Sequence, residues 1–145
     1  MVKNPELVVP AWLEAGAQRI IVHVEAMNDA EIITDACRER GAEAMLAASP
    51  ETPVEKLIEY KNEFAEFQIL AVSPGKAGQQ FNTAATEKIR TLRTKIPRAI
   101  IEVDGGINAE TAELAKEVGA NVIVSASYIL DSVNPRRAFE LLAAL

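Results

Sequence analysis

The run Ile100-Ile101-Glu102-Val103-Asp104-Gly105-Gly106-Ile107-Asn108 decides how the rest of this chain is read. Its first half is short and apolar, as suits a strand buried in a sheet. Alternation puts Glu102 and Asp104 on one side and Ile101 and Val103 on the other. Asp104 then sits at the strand's C-terminal end. Gly105 and Gly106 follow at once, and residues without a Cβ let the backbone bend sharply and bring its N–H groups close to an anion. Asn108 is placed to cap a helix running through Glu110 to Glu117, with Gly119 as its stop signal. In α/β proteins, sites are built where a strand ends in an acid and glycines and a helix follows.

The same strand-then-helix unit repeats on both sides of this run. Upstream, Phe67 to Val72 reads as a strand. The loop Ser73 to Phe81 follows, marked by two glycines and a proline. An amphipathic helix then runs from about Thr83 to Lys95, with Ile89, Leu92 and Ile96 on one side and Pro97 at its end. Further back, Ile20 to Glu25 is β-branched and dense enough for a parallel-sheet strand, with His23 and Glu25 on one face. Asn28 or Asp29 opens a helix to Gly41, and Glu43 to Ser49 is a weaker, alanine-rich strand. A helix from about Thr52 or Pro53 to Lys61 comes next. The chain opens on a helix capped at Asn4-Pro5 and ending near Gly16. Downstream, Asn121 to Ser125 is the last strand, and Asn134-Pro135 starts a closing helix to Leu145. Five strands, each followed by a helix, recur at the period of βα units that require parallel pairing and right-handed crossovers.

At 145 residues the chain is one ordinary domain, residues 1–145, with the apolar and charged fractions of a soluble globular protein. No apolar run approaches membrane-spanning length and the N-terminus is polar, so a cytoplasmic protein with no membrane partner is expected. The net charge of −6, with no basic run to offset it, argues against nucleic acid as a partner. The single cysteine, Cys37, excludes an internal disulfide and a cysteine-based metal cluster, and its helical setting reads as packing. A phosphorylated small molecule fits this composition, because backbone amides bind phosphate locally.

Four stretches together resemble the ribulose-phosphate 3-epimerase family: Met-Val-Lys-Asn-Pro-Glu at the start, Val-His-Val-Glu-Ala at 22–26, Ser-Pro-Gly-Lys-Ala-Gly-Gln-Gln-Phe at 73–81, and Glu-Val-Asp-Gly-Gly-Ile-Asn at 102–108. Their order and spacing fit along the whole chain. The resemblance implies an isomerase of D-ribulose 5-phosphate and D-xylulose 5-phosphate. It further implies a TIM (β/α)8 barrel, a divalent metal (zinc, manganese or iron) and two aspartates as opposed acid and base. Asp104 matches the aspartate that is both a metal ligand and one of the proton-transfer groups, while Gly78, Gly105, Gly106 and Ser127 match phosphate-site positions. The chain departs from the family at Ala126, where a glycine is usual, at Ser73 in place of an asparagine, at Lys76 in place of an aromatic residue, and at Ala77 in place of a glycine. Ala126 is expected to crowd a phosphate and Lys76 to attract one.

Met1 and Val2 fall where the family reads His-Leu-Met-Val at the end of its third strand. The expected fold is therefore an incomplete barrel, five parallel βα units matching units four to eight with a helix in front. The partner aspartate, two metal-binding histidines and an early serine belong to the unmatched part, so this chain alone is expected not to hold the metal. A barrel interior would carry His23, Glu25, Glu43, Gln68, Glu102 and Asp104. The one histidine, His23, matches a residue that is not a ligand and reads as a hydrogen-bonded group within the sheet. Glu25 and Glu102 read as polar residues of the inner face, Gln79 and Phe81 as loop packing. Five strands cannot close a barrel of the usual geometry, and open edges invite pairing, so a homo-oligomer, a dimer, or a complementing N-terminal fragment is the expected partner. Three functions follow from this: an isomerase completed across a subunit contact, a non-catalytic phosphate-binding or scaffold relic, and the C-terminal part of a split epimerase. The Asp-x-Lys-x-x-Asp pattern of the orotidine- and keto-gulonate-phosphate decarboxylases is absent.

Overall fold

The computed structural model describes residues 2–75 and 78–145. Five strands, β1 (Arg19–His23), β2 (Glu43–Ala48), β3 (Glu66–Leu70), β4 (Ile100–Asp104) and β5 (Val122–Val124), form one parallel sheet in chain order. Among the described residues β1 and β5 each pair on one side only. The helices are α1 (Val9–Glu14), α2 (Ala30–Arg40), α3 (Glu55–Ile58), α4 (Ala84–Lys95), α5 (Ala109–Glu117), α6 (Ser127–Leu130) and α7 (Pro135–Ala143). The expected βα repeat is thus observed, with all strands pointing the same way.

Register sorts the two faces. Val22, Leu46, Phe67 and Ile101 lie in one row and Ala48, Ile69, Val103 and Ile123 in the next. These rows belong to the apolar core, which takes Ile33 and Cys37 from α2, Leu57 from α3, Ile89 and Leu92 from α4, and Ala112 and Ala115 from α5. Burial pushes the Cys37 thiol pKa up, in keeping with a packing role. The opposite face carries the row His23, Ala47, Gln68, Glu102, with Leu70 and Asp104 beyond it. Arg19 pairs in register with Glu43, yet its guanidinium lies 3.7 Å from the Glu102 carboxylate. Three strands and four residues separate the two, roughly 19 Å on a flat sheet at ordinary spacings. Contact over that separation places both on the inside of a curled sheet.

Several boundaries move from where the sequence put them. β1 begins at Arg19 and ends at His23, and β3 begins at Glu66 and ends at Leu70, so Arg19 and Glu66 join the inner face and Glu25 leaves it. Arg19 serves Glu43 at 2.7 Å and Glu66 at 3.4 Å as well as Glu102. Burial raises the Glu66 pKa, partly offset by Arg19, with Glu43 and Glu102 adding to the rise. Asn4 is not a side-chain cap: it adopts φ 52°, and the chain makes a short 3-10 turn, Pro5–Leu7, before α1 restarts with Pro10 in its first turn, where no N–H is required. Glu6 instead accepts from the amides of Asn28 (2.5 Å) and Asp29 (3.0 Å) and ties the opening segment to the loop after β1. Helix α3 is shorter than expected and continues as single turns to Phe64. Asp29, Asn108 and Asn134 do cap α2, α5 and α7.

At the N-terminal ends of the last two strands, Arg93 of α4 donates to the carbonyls of Gly119 (2.8 and 3.0 Å), Pro97 (2.9 Å) and Ala99 (2.8 Å). Charge-assisted bonds to half-buried carbonyls are worth far more than exposed ion pairs. Arg93→Met is expected to lower stability by about 2–4 kcal/mol in urea denaturation. Arg90→Ala, which removes an exposed pair with Glu87, should cost under about 0.5 kcal/mol.

Candidate functional site

Because the strands are parallel, their C-terminal ends share one rim. There β4 delivers Asp104 into a cleft of about 390 Å³ lined also by Leu70, Gly78, Gly105, Gly106, Ser125, Ala126 and Ser127. All five residues singled out from the sequence thus meet in one place. The cleft abuts a second, more open groove that shares Gly78, Gln79, Gly106, Ile107 and Ser127. The hollow beside β1, lined by Val8, Trp12 and Ile21, brings together no comparable acid and glycine turn.

The turn after β4 is held by bonds that the sequence encodes locally. Asn108 and Thr111 form a reciprocal capping box, Oδ1 accepting from the Thr111 amide and Thr111 Oγ1 from the Asn108 amide, each at 2.9 Å. The Thr111 hydroxyl also donates to the Gly106 carbonyl at 3.1 Å, and the Ser125 hydroxyl donates to the Ile107 carbonyl at 3.0 Å. Gly105 (φ +108°) and Gly106 (φ +66°) occupy the left-handed region. A Cβ at Gly105 would collide with the Val72 side chain, and one at Gly106 with the Phe81 backbone. Both glycines are therefore demanded by packing as well as by any anion. The amides of Gly106 and Ser127 donate to no acceptor among the described residues.

Asp104 is half-buried, and no hydrogen bond or ion pair reaches its carboxylate among the described residues. Burial alone raises its pKa above the ordinary 3.8. Glu25 is the contrasting case. Burial pushes it upward, but bonds from the Thr52 hydroxyl, the Ser49 amide at 2.7 Å and His23 outweigh this and leave it below the usual range. A carboxylate so engaged is a poor proton carrier, which removes Glu25 as an acid or base. His23 Nδ1 lies 3.1 Å from Glu25 and 3.5 Å from the Ser49 hydroxyl, so it is a hydrogen-bonded structural residue as its place in the strand suggests. Glu102 is buried and accepts from Gln68 at 2.5 Å.

Among the described residues no group of three or more His, Cys, Asp or Glu is arranged to hold a metal ion. Asp104 is a single oxygen donor, short of the ligand set a divalent site takes, so the residues present do not fit such an ion. Ala126 has φ −109°, a conformation open to any residue, and its side chain joins the cleft lining without backbone strain. Lys76 and Ala77 lie outside the described residues. Gln79 closes its loop on the Ser73 carbonyl at 2.6 Å, and Phe81 packs against the core. The residues that sequence reading missed are Arg19, Glu66 and Ser125. The first two are hidden by a one-residue shift of strand start; nothing local marks Ser125.

The Asp104 environment has a sign in stability. A carboxyl whose folded pKa is raised favours folding when protonated, so its contribution is full below 3.8 and is lost as pH rises through the folded value. Asp104→Asn is expected to be more stable than the parent at neutral pH, with the gain closing as pH falls below 3.8, measured by urea denaturation across pH.

A sequence model of the ribulose-phosphate 3 epimerase family matches residues 1–130. Curated relatives described as ribulose-phosphate 3-epimerase are 39% identical in Chlamydia muridarum, over 98% of this chain and 66% of the relative. In Candida glabrata the identity is 34%, over 98% and 58%. In Mycobacterium leprae it is 32%, over 95% and 63%. The chain thus spans roughly three fifths to two thirds of the lengths of these relatives. Among solved structures it resembles 3-hexulose-6-phosphate synthase, with TM-score 0.72, 21% identity, and 96% of this chain and 67% of that one covered. It also resembles KGPDC from Streptococcus mutans in complex with D-R5P, with TM-score 0.75, 13% identity, and 96% and 66% covered. Those two likenesses establish the α/β barrel-type fold, of which this sheet is a part. With the strand-end aspartate, the glycine turn and the sequence match in agreement, the chain belongs to the ribulose-phosphate 3-epimerase family.

Proposed function

We propose that the chain is an isomerase component acting on a pentose 5-phosphate, D-ribulose 5-phosphate or D-xylulose 5-phosphate, and that it supplies one of the two proton-transfer groups. The observation that carries this reading is Asp104 at the strand end, sharing one cleft with Gly78, Gly105, Gly106 and Ser127. Epimerisation beside a carbonyl takes a proton from one face of the carbon and returns one to the other, through an enediolate. Asp104, raised by burial and unengaged by neighbours, suits one face. The amides of Gly106 and Ser127 suit the phosphate, because an anion needs donors that the protein has not already used.

The opposite acid–base group comes from outside the described residues. A second copy docked along the unpaired sides of β1 or β5, or a complementing N-terminal segment, is the partner that fits. Among the described residues the donors around Asp104 do not fit a metal ion. No helix among the described residues is long and apolar enough to cross a membrane.

Three outcomes are expected. In a ribulose 5-phosphate assay with added zinc, manganese or iron, the isolated chain should turn over about 10² to 10⁴ slower than a full-length relative, the usual worth of one positioned acid or base. Asp104→Asn should remove what remains. Robust turnover that Asp104→Asn leaves intact would refute the role of Asp104. Titration with pentose 5-phosphate should move the amide NMR signals of Gly106 and Ser127, and signals unmoved at millimolar ligand would sink the phosphate cradle. Light scattering at micromolar concentration should give a dimer or larger species; a stable, folded monomer would rule out the second copy as partner.

A further inference from the structure

The rim that carries the cleft is also held, at the loop after β2, by a group that the proposed chemistry does not use. Lys88, on α4, reaches the loop after β2 and donates to the carbonyls of Ser49 (3.2 Å), Pro50 and Thr52 (2.7 Å). An ammonium has three donors, and all three are engaged. The loop needs them. Pro50 and Pro53 bring no N–H, so the loop closes only one bond of its own, Thr52 N–H to the Ser49 carbonyl at 3.1 Å. The remaining carbonyls must be met from elsewhere, and burial of the Lys88 stem lowers its pKa without removing nearby acids Glu51, Glu25 and Glu55 that favour the charged form.

What the loop carries matters for the mouth. Its Ser49 amide and Thr52 hydroxyl both bond one oxygen of Glu25, and the other oxygen of Glu25 bonds His23. Lys88, the 49–53 loop, Glu25 and His23 are thus a continuous series of contacts from α4 to the end of β1. It lies at the same strand ends as Asp104.

We propose that Lys88 is a positioning residue: by clamping the loop after β2 it holds Glu25, and through it His23, as the wall of the mouth that faces the Asp104 cleft. The clamp itself stands on the contacts above. Only its consequence for a bound sugar rests on reading the cleft as a sugar-phosphate site.

The chain has one histidine, so the His23 ring signals in an NMR spectrum report on this wall without overlap. In Lys88→Met the His23 ring signals should shift by more than a linewidth, while circular dichroism stays that of a folded protein. Lys95→Met, on the exposed end of the same helix, should leave them in place. Lys88→Arg should recover them only in part, because the larger planar guanidinium carries its donors in a fixed fork, whereas the 49–53 carbonyls converge on a compact ammonium. If Lys88→Met fails to fold, Thr52→Val tests the same contact series from its other side, and a smaller His23 shift is expected. His23 signals unmoved in folded Lys88→Met, or in Thr52→Val, overturn the clamp.

Binding separates the clamp from the reading it rests on. In Lys88→Met the affinity for ribulose 5-phosphate should fall severalfold while that for inorganic phosphate, which engages only the glycine turn, holds. Equal affinities for ribulose 5-phosphate in parent and variant overturn the positioning role. Absence of any response to either ligand in the parent protein refutes the cleft reading instead, and the His23 shift still decides the clamp.

Discussion

Parallel strands cannot be joined by tight turns, and this constraint orders everything else in the molecule. Each strand must be followed by a segment long enough to return to the other end of the sheet, and right-handed crossovers that always step in one direction lay their helices on one face. With the order β1-β2-β3-β4-β5, that face receives the apolar rows headed by Leu46, Phe67, Ile101 and Val103. The other face keeps Arg19, Gln68, Glu66 and Glu102: Arg19 pairs with the two glutamates and Gln68 donates to Glu102, while Glu66 Oε2 is buried with no hydrogen-bond partner among the described residues. All C-terminal strand ends come to a single rim. Asp104, the Gly105-Gly106 turn, Glu25 and Ser49 come to the same rim for that reason, though they are far apart in sequence.

The acids of the rim and the inner face are separated by what surrounds them. Three terms set a carboxyl pKa: burial, nearby charge and hydrogen bonds to the ionised form. Glu25 is supplied with donors and is lowered. Asp104 meets none and is raised. Glu66 has a cation nearby, but one shared with Glu43 and Glu102, and burial prevails. Among the carboxyls of the described residues, Asp104 alone combines a raised pKa with a position on a cleft. A group left without partners is held less tightly by the fold, and the expected stability gain of its asparagine variant is the thermodynamic side of its availability for proton transfer.

The glycine turn shows how one residue type answers two demands. Gly105 and Gly106 leave no room for a Cβ against Val72 and Phe81, so packing alone would require them. The Gly106 amide meets no acceptor among the described residues. Thr111, through its capping box with Asn108 and its bond to the Gly106 carbonyl, keeps that geometry while α5 carries the strain-free continuation.

The sequence by itself determined the repeat of strand and helix, the caps at Asn108 and Asn134, the place of Asp104 and its glycines, and the family. These are legible because they rest on interactions within a few residues, where alternation, capping and glycine chemistry act directly. Where the strands begin was decided only by the tertiary structure. Arg19 and Glu66 look like loop residues in sequence, and they become inner-face residues because register with neighbouring strands extends β1 and β3 back to them. The same holds for Glu6, whose carboxylate reaches the amides of Asn28 and Asp29 in the loop after β1. It holds too for Lys88 and Arg93, which read as ordinary charges on a helix until distant carbonyls are brought within reach. Contacts of this kind join segments twenty to forty residues apart, and no local pattern records them. Only the closing of the sheet sets the distances over which a carboxylate is satisfied, as Glu25 is, or left available, as Asp104 is.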